Sequence, residues 1–531
     1  MGIRYIDSID DQTLDAEQVS WSGGADEFAT PTMLPPNIGG KLVNCLVEDS
    51  GRPRNCPGAD PLGGAALDAG DRVQCLAYFD TPSLEYLYAA INGSLRQWDG
   101  SAWSTVASYP AISTIVDMVQ GNNVLYVTDG SAQWYSYTGA AWSGALGNGA
   151  TDPPVGATIL CWHTFRMFAS GTIGSIYDEI RVSNLGNATS GQWNSTTWSF
   201  RVGRGEGQRI VALCSGRDNW LFVGKEGSVY AVDAVPSATS AAEWVIRRLA
   251  GEVGVVGQRA MLFDGNSVWL VSPELSLREI VPSQVQDLPF EVQPSSSEAA
   301  KPYFDRVNSG AVSKIVLHKF GRYLLVGLPL DSATEPSHTL FFNLRLRRAS
   351  ETPGFTVPAF VGVREGWTPT AFCTMRFGNK ERLVFGDSAG FVNQWKDFED
   401  QTEDDTFLDN GSNVLATIRT KSYDFGSRRN PKDAESLEVQ FKDSTAPVDV
   451  VLVLDGEEQA RWNLTTQDAQ NSLPLELPFD LAVVGPKNAP RNADGLPEFR
   501  EAYVEIQQKG AGRLEVKSVA LSAFLNSQIN E

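Results

Sequence analysis

The chain has 531 residues, too many for one ordinary core, so two or three domains are expected. A formal net charge of −21 excludes a broadly basic surface that grips nucleic-acid backbones, although DNA that slides past without sticking stays compatible with it. The 49 Gly, 28 Pro, 25 Phe, 14 Trp and 14 Tyr favour many short strands joined by tight turns.

Met1 to Asp7 lack the apolar core of a signal peptide, and Ile6 breaks the myristoylation pattern. Residues 1–70 have little regular pattern and hold Pro31, Pro35, Pro36, Pro53, Pro57 and Pro61. They read as an extended arm laid over other parts of an assembly. Six cysteines (45, 56, 75, 161, 214 and 373) lie far apart without a C-x-x-C pair, which gives neither a zinc site nor a dense disulfide framework. Most sit in apolar runs, as small buried thiols do.

A repeat then begins. Trp98-Asp99-Gly100-Ser101-Ala102-Trp103 is a hairpin signal, and Tyr137-Thr138-Gly139-Ala140-Ala141-Trp142 repeats it 39 positions later. An apolar strand precedes each, Glu85–Tyr88 and Val124–Val127. Similar strands recur, marked by Leu87, Leu125, Met167, Leu221, Trp269, Leu324 and Leu383, at gaps of 38 to 59 residues. Each marker is flanked by a turn and another strand, the pattern of a four-stranded blade that must stack on its neighbours. This predicts an all-β fold with a β-propeller of about seven blades over 71–398; decay of the repeat leaves six or eight open. A pair of β-sandwiches, the alternative, would not predict the near-copy at 39 residues. Residues 130–151 are uncharged but rich in Gly, Ser and Ala, and so are no membrane span. Residues 282–312 read as an inserted loop with a short helix.

Residues 399–412, within a stretch rich in Asp and Glu, read as a solvated acidic linker; no EF-hand loop is present. Beyond it, Val414–Thr420, Leu437–Phe441, Val448–Val453, Tyr503–Ile506 and Leu514–Val516 alternate with period two, which predicts a C-terminal β-sandwich over 413–531.

Two stretches carry a resemblance. Gly39 to Gly58 holds an Asn-bearing strand (Asn44), a Gly turn (Gly51), the basic pair Arg52 and Arg54, and Pro57-Gly58. Leu277–Pro282, Phe304-Asp305, Tyr323–Pro329 and Leu340–Asn343 follow in order, with Ile280-Val281-Pro282 where an I-S-P-like turn is usual. Over about two thirds of its length the chain resembles the nozzle, or packaged-DNA stabilisation, proteins of short-tailed phages. The resemblance implies a virion protein, made in the host cytoplasm, forming a ring of six copies that closes the tail tube. Its implied partners are the tail tube or adaptor and the fibres, with DNA passing through the lumen without sequence-specific binding. The rival readings are another tail propeller, as hub or fibre adaptor, and a secreted carbohydrate-binding or glycosidase propeller.

Catalytic signals are weak. Gly386-Asp387-Ser388-Ala389-Gly390 matches a nucleophile elbow, but a strand pattern follows it, and the three histidines (163, 318, 338) all precede it. Asp99–Trp103 resembles a sialidase Asp box without its spacing. Gly203-Arg204-Gly205-Glu206-Gly207 is glycine-rich but matches no phosphate-binding fingerprint. A paired-carboxylate glycosidase would leave no signature. The sequence therefore predicts no catalytic, cofactor or metal residues and no enzyme. The sharpest basic cluster is Arg345, Arg347 and Arg348, expected to bridge acidic neighbours at a subunit joint, with Arg247, Arg248 and the group Lys421, Arg428, Arg429 and Lys432 as lesser companions.

Overall fold

The computed structural model describes residues 13–106, 117–130, 134–139, 142–143, 150–173, 176–249, 253–283, 289–350, 352–377, 380–396, 407–426, 432–442, 444–470, 475–477 and 498–525. Strands dominate, and successive antiparallel sheets follow one another along the chain. The first comprises Val73–Thr81, Leu84–Ile91, Ser94–Trp98 and Trp103–Thr105. The second has Asp117–Gly121, Val124–Thr128 and Trp134–Tyr137; the third runs through Ala157–His163, Arg166–Gly171, Glu179–Val182 and Ser199–Arg201. The fourth spans Ile210–Ser215, Trp220–Lys225, Val229–Asp233 and Val245–Arg248, and the fifth Met261–Phe263, Val268–Val271, Leu277–Pro282 and Phe290–Ser295. The sixth is Val316–Phe320, Tyr323–Leu328, His338–Ala349 and Thr356–Glu365; Ala371–Phe377, Lys380–Gly386 and Val392–Trp395 begin the last.

Each sheet's first strand lies beside the first strand of the next, and Ala371–Phe377 returns to lie beside Val73–Thr81. Up-and-down sheets stacked around a common centre make a β-propeller. The seven marker residues all fall on the second strand of a sheet and are completely buried. Turn chemistry explains the regularity. Asn92-Gly93 and Asn122-Asn123 take positive φ in two-residue hairpins, a conformation Asn and Gly tolerate and one that matches strand twist. At the first Trp hairpin, Trp98 pairs with Trp103, and the Asp99 carboxylate accepts from the amides of Ser101 and Ala102. At the second, Tyr137 bridges Trp142 with the rings stacked 5.1 Å apart.

All six cysteines are free and buried, and Cys75, Cys161, Cys214 and Cys373 sit on the crowded innermost strands. Burial pushes the thiols of Cys161 and Cys373 up to about 12, so they behave as small apolar groups.

The N-terminal segment departs from its expectation. It is laid over the same chain, through β1 (Thr13–Gln18), β2 (Lys41–Val43), β3 (Cys45–Val47), β4 (Pro53–Asn55) and β5 (Ala59–Pro61). Strand β5 pairs with Val392–Trp395 as the fourth strand of the last sheet, so the beginning and end of the propeller are sewn together. Strand β2 joins the outer strand of the sixth sheet to Thr417–Arg419, which continues through Ala502–Gln508, Val448–Leu454 and Glu457–Leu464. One nine-stranded sheet thereby runs from the propeller into the C-terminal part. There a second sheet orders β1, Val516–Leu525, Lys432–Phe441 and Leu475–Leu477. Val450, Leu452 and Ile506 of one sheet and Leu437, Val439 and Leu521 of the other belong to one apolar core.

Two further expectations change. Residues 282–312 are more than a loop, because Phe290–Ser295 is the outermost strand of the fifth sheet, followed by the helical turn Lys301–Phe304. Of the acidic linker, residues 399–406 lie outside the described residues. Asp409 within it is only partly solvated and has a structural role: it accepts from Ala59 N at 2.7 Å and is ion-paired to buried Arg364.

Candidate functional site

The predicted basic cluster is tied into its own chain. Arg345 Nη1 lies 3.2 Å from Asp49 of the N-terminal segment, Arg347 Nη1 3.0 Å from Glu279 of the fifth sheet, and Arg348 Nη1 2.7 Å from Asp26. The ladder is irregular between Asn343 and Arg347, so simple alternation does not place these side chains. Arg345 and Arg348 thereby fasten the segment before the propeller onto the sixth sheet, and Arg347 ties the sixth sheet to the fifth. Burial sets the worth of each pair. Arg345 is 71% exposed, so Arg345→Ala is expected to change stability by no more than about 0.5 kcal/mol. Arg347→Ala strands Glu279, whose side chain is only 6% exposed, and should cost roughly 1–3 kcal/mol. Denaturant midpoints of the two variants check this order.

Two of the lesser companions have partners of their own. Arg248 pairs with Glu206 at 3.5 Å, and buried Lys432 donates to the Arg500 carbonyl at 3.3 Å. Arg428 and Arg429 lie outside the described residues. The elbow-like motif is a turn between two strands. Asp387 accepts there from the amides of Ala389 and Phe391, and its other oxygen from Asn393. Each histidine has a hydrogen-bond partner other than Ser388: His163 meets Ser215, His318 meets Thr374 and His338 meets Ser337. Among the described residues no group of His, Cys, Asp and Glu is arranged to hold a metal ion, and no helix is long and apolar enough to cross a membrane.

The site with organised charge lies where the inner strands begin. A cavity of about 440 Å³ opens there, bordered by the first, third, fourth, fifth and sixth sheets. Arg72, Arg209, Arg259 and Lys314 line it, each one or two positions before an innermost strand. The repeat therefore brings four cations to one mouth. Arg72 Nε and Lys314 Nζ lie 2.9 and 3.3 Å from the two oxygens of Glu335, while Arg209 Nε lies 2.9 Å from Glu226. Arg259 donates to the Thr370 carbonyl at 3.3 Å. Desolvation, reinforced by Arg259, pulls the Arg72 guanidinium below its ordinary value against the opposing pull of Glu335. Asp117 lies within electrostatic reach of Arg259. Burial raises its carboxyl to about 6, despite amide donation from Leu160 at 2.7 Å and the charge of Arg259.

Sequence reasoning missed this site because it searched for clusters along the chain. The available signal was positional: a basic residue just before the first strand in four repeats, at Arg72-Val73, Arg209-Ile210, Arg259-Ala260-Met261 and Lys314-Ile315-Val316.

No family model matches the chain, and no curated protein matches it. Among solved structures it is similar to the extracellular domain of the hybrid two-component system BT4673 from B. thetaiotaomicron, at 12% identity and a TM-score of 0.42 over 79% of this chain and 47% of that one. BBS1N in complex with ARL6DN is similar at 12% identity and a TM-score of 0.39, over 67% and 96% of the two chains. YCF48 bound to D1 peptide is similar at 9% identity and 0.37, over 64% and 96%. Likeness at this level says nothing about what the chain binds or does. The sheet topology by itself defines the class, an all-β protein built on a β-propeller.

Proposed function

We propose that the chain is a non-enzymatic structural protein of a phage tail, the nozzle ring that closes the tail tube and retains packaged DNA until ejection. The observation that carries this reading is the nine-stranded sheet. It joins the propeller to the C-terminal part through strand β2, so the two bend as one piece rather than hinging on a linker. A body that bears load along a tail needs such continuity; an enzyme or a loose adaptor does not. The sheets assigned above are the blades of a seven-bladed propeller closed by β5, and the two C-terminal sheets form a β-sandwich. The sequence resemblance supplies the tail and the six-copy ring, with tube, adaptor and fibre proteins as neighbours and the virion as location. The net charge of −21 suits a lumen that DNA traverses, because phosphate contacts by Lys and Arg would add sequence-independent affinity and slow release.

The test is to assemble particles without this protein and to measure retained genome and adsorption separately. Tube-bearing particles that leak DNA are the expected result. Full heads that merely fail to adsorb would replace the nozzle with a hub or fibre adaptor.

A further inference from the structure

We infer that the cleft between the fourth and fifth sheets, lined by Trp220, Phe222 and Phe290, is a binding site for a single sugar ring, a neutral pyranose unit of a glycan. This inference stands independently of the tail reading. The cleft opens at the end of the inner strands opposite the cation mouth, where residues 216–219 and 264–267 turn each sheet from its first strand to its second. Phe290 stands edge-on to Trp220 and Phe222, with ring centroids 5.2 and 4.9 Å away, and Phe263 lines the cleft beside them. Trp220, Phe263 and Phe290 are only partly buried, so aromatic surface is left over for a ligand. The volume of about 240 Å³ falls just below the roughly 300–1,000 Å³ of drug-sized sites, which is room for one ring.

Polar groups decide which kind of ring. Ser267, 2% exposed, lines the cleft, and among the described residues its hydroxyl makes no hydrogen bond. The Trp220 indole N–H and the Asn266 side-chain amide are equally uncommitted among the described residues. The turn that carries Asn266 and Ser267 is held firmly. Its Asp264 carboxylate accepts from both backbone amides at 2.7 Å and from Trp269 Nε1 at 2.9 Å. A purely apolar ligand would leave these placed donors and acceptors unpaired, which costs affinity. Arg217 and Asp218 stand 3.7 Å apart at the rim, 71% and 76% exposed, so the pair adds no net charge and favours a neutral ligand over an anion. A pyranose meets both demands: its C–H face packs on an aromatic ring, and the hydroxyls around its edge donate and accept.

The experiment is saturation-transfer NMR on the full chain with the methyl glycosides of glucose, galactose, mannose, rhamnose and N-acetylglucosamine, each titrated singly, and with indole as a ring that carries no hydroxyl. Saturable binding of at least one glycoside is expected, with the strongest transfer to its ring C–H protons. Trp220→Ala should abolish that binding. Ser267→Ala should weaken it about three-fold or more, the loss of one hydrogen bond. The same variant should keep the wild-type urea midpoint, because no described hydrogen bond of the fold ends on that hydroxyl. If Trp220→Ala does not fold, Ser267→Ala and Asn266→Ala decide the matter. Failure of every glycoside to bind, binding of indole alone, or glycoside binding that Ser267→Ala and Asn266→Ala leave intact overturns the site.

Discussion

A chain lacking residues 1–62 is expected to lose cooperative folding altogether. The segment is sequence-irregular, yet it supplies strands to three sheets and core to both parts of the molecule. Trp21, Leu42, Leu46, Val47, Cys45 and Cys56 within it are buried to 1% exposure or less. At roughly 1.5–3 kcal/mol for each large apolar side chain, their loss is on the order of 10 kcal/mol, comparable to the whole net stability of a typical protein. The deletion also removes β5, opening the last sheet along Val392–Trp395 and taking the Pro57 carbonyl from buried Trp395 Nε1. Asn55 would go too; its side chain donates to the Gly512 carbonyl and accepts from Leu514 N, clasping the C-terminal part. An open edge with exposed aromatics aggregates. The expected readout is an insoluble product or a broad, non-cooperative urea transition.

A milder variant keeps this argument falsifiable. A Cβ added at Gly58 would stand 2.0 Å from the Leu408 carbonyl oxygen, a backbone atom that cannot swing aside. Gly58→Ala should therefore lift β5 from its sheet and cost at least roughly 1–3 kcal/mol. A truncated chain that unfolds with the wild-type midpoint, or a neutral Gly58→Ala, would mean that the stitch contributes nothing.

Much of the propeller was legible because its signals are local. Trp98 to Trp103 and Tyr137 to Trp142 announce hairpins within six residues, and Leu87, Leu125 and Leu324 sit in short apolar runs bounded by turn formers. What the sequence hides is pairing at a distance. Nothing local in Ala59-Asp60-Pro61 says that its partner strand ends at Trp395, and irregular composition made a stitch within the chain look like an arm laid over other parts of an assembly. Asp409 was misread for the same reason: in an acidic run every carboxylate looks solvated until Arg364 is brought beside it. The mouth cations are single residues far apart in the chain, gathered only when the inner strands close into a ring.

Glu206→Ala is expected to destabilise the fold by roughly 3–5 kcal/mol, the usual cost of leaving a buried charge without its counter-ion. Lys225, completely buried on the fourth sheet, donates from Nζ to the carbonyls of Val202 and Gly203 at 3.0 and 3.1 Å and to Glu206 at 2.9 Å. Glu206 sits in the glycine-rich stretch Gly203–Gly207, which the sequence excluded as a phosphate loop and which the structure uses as a cap over this ammonium. Gly203 is required there: its φ is +61°, and a Cβ would stand 2.7 Å from Lys225 Nζ. Desolvation works to raise the Glu206 carboxyl, but donation by Tyr230, Lys225 and Ser228 outweighs it and holds the group below its ordinary value. The stability it brings is therefore complete above pH 4.5 and is lost as the pH falls through the depressed native value. The reciprocal change is milder. Lys225→Met leaves Glu206, 23% exposed, in contact with water, Tyr230 and Arg248, so its expected cost is roughly 1–3 kcal/mol for the unpaired carbonyls. Adding Lys225→Met to Glu206→Ala should then restore part of the lost stability, because it removes the stranded charge. Urea midpoints of the two single variants and the double variant at pH 7 read this out. A double variant less stable than Glu206→Ala would show that the ammonium is stabilised by something other than this carboxylate.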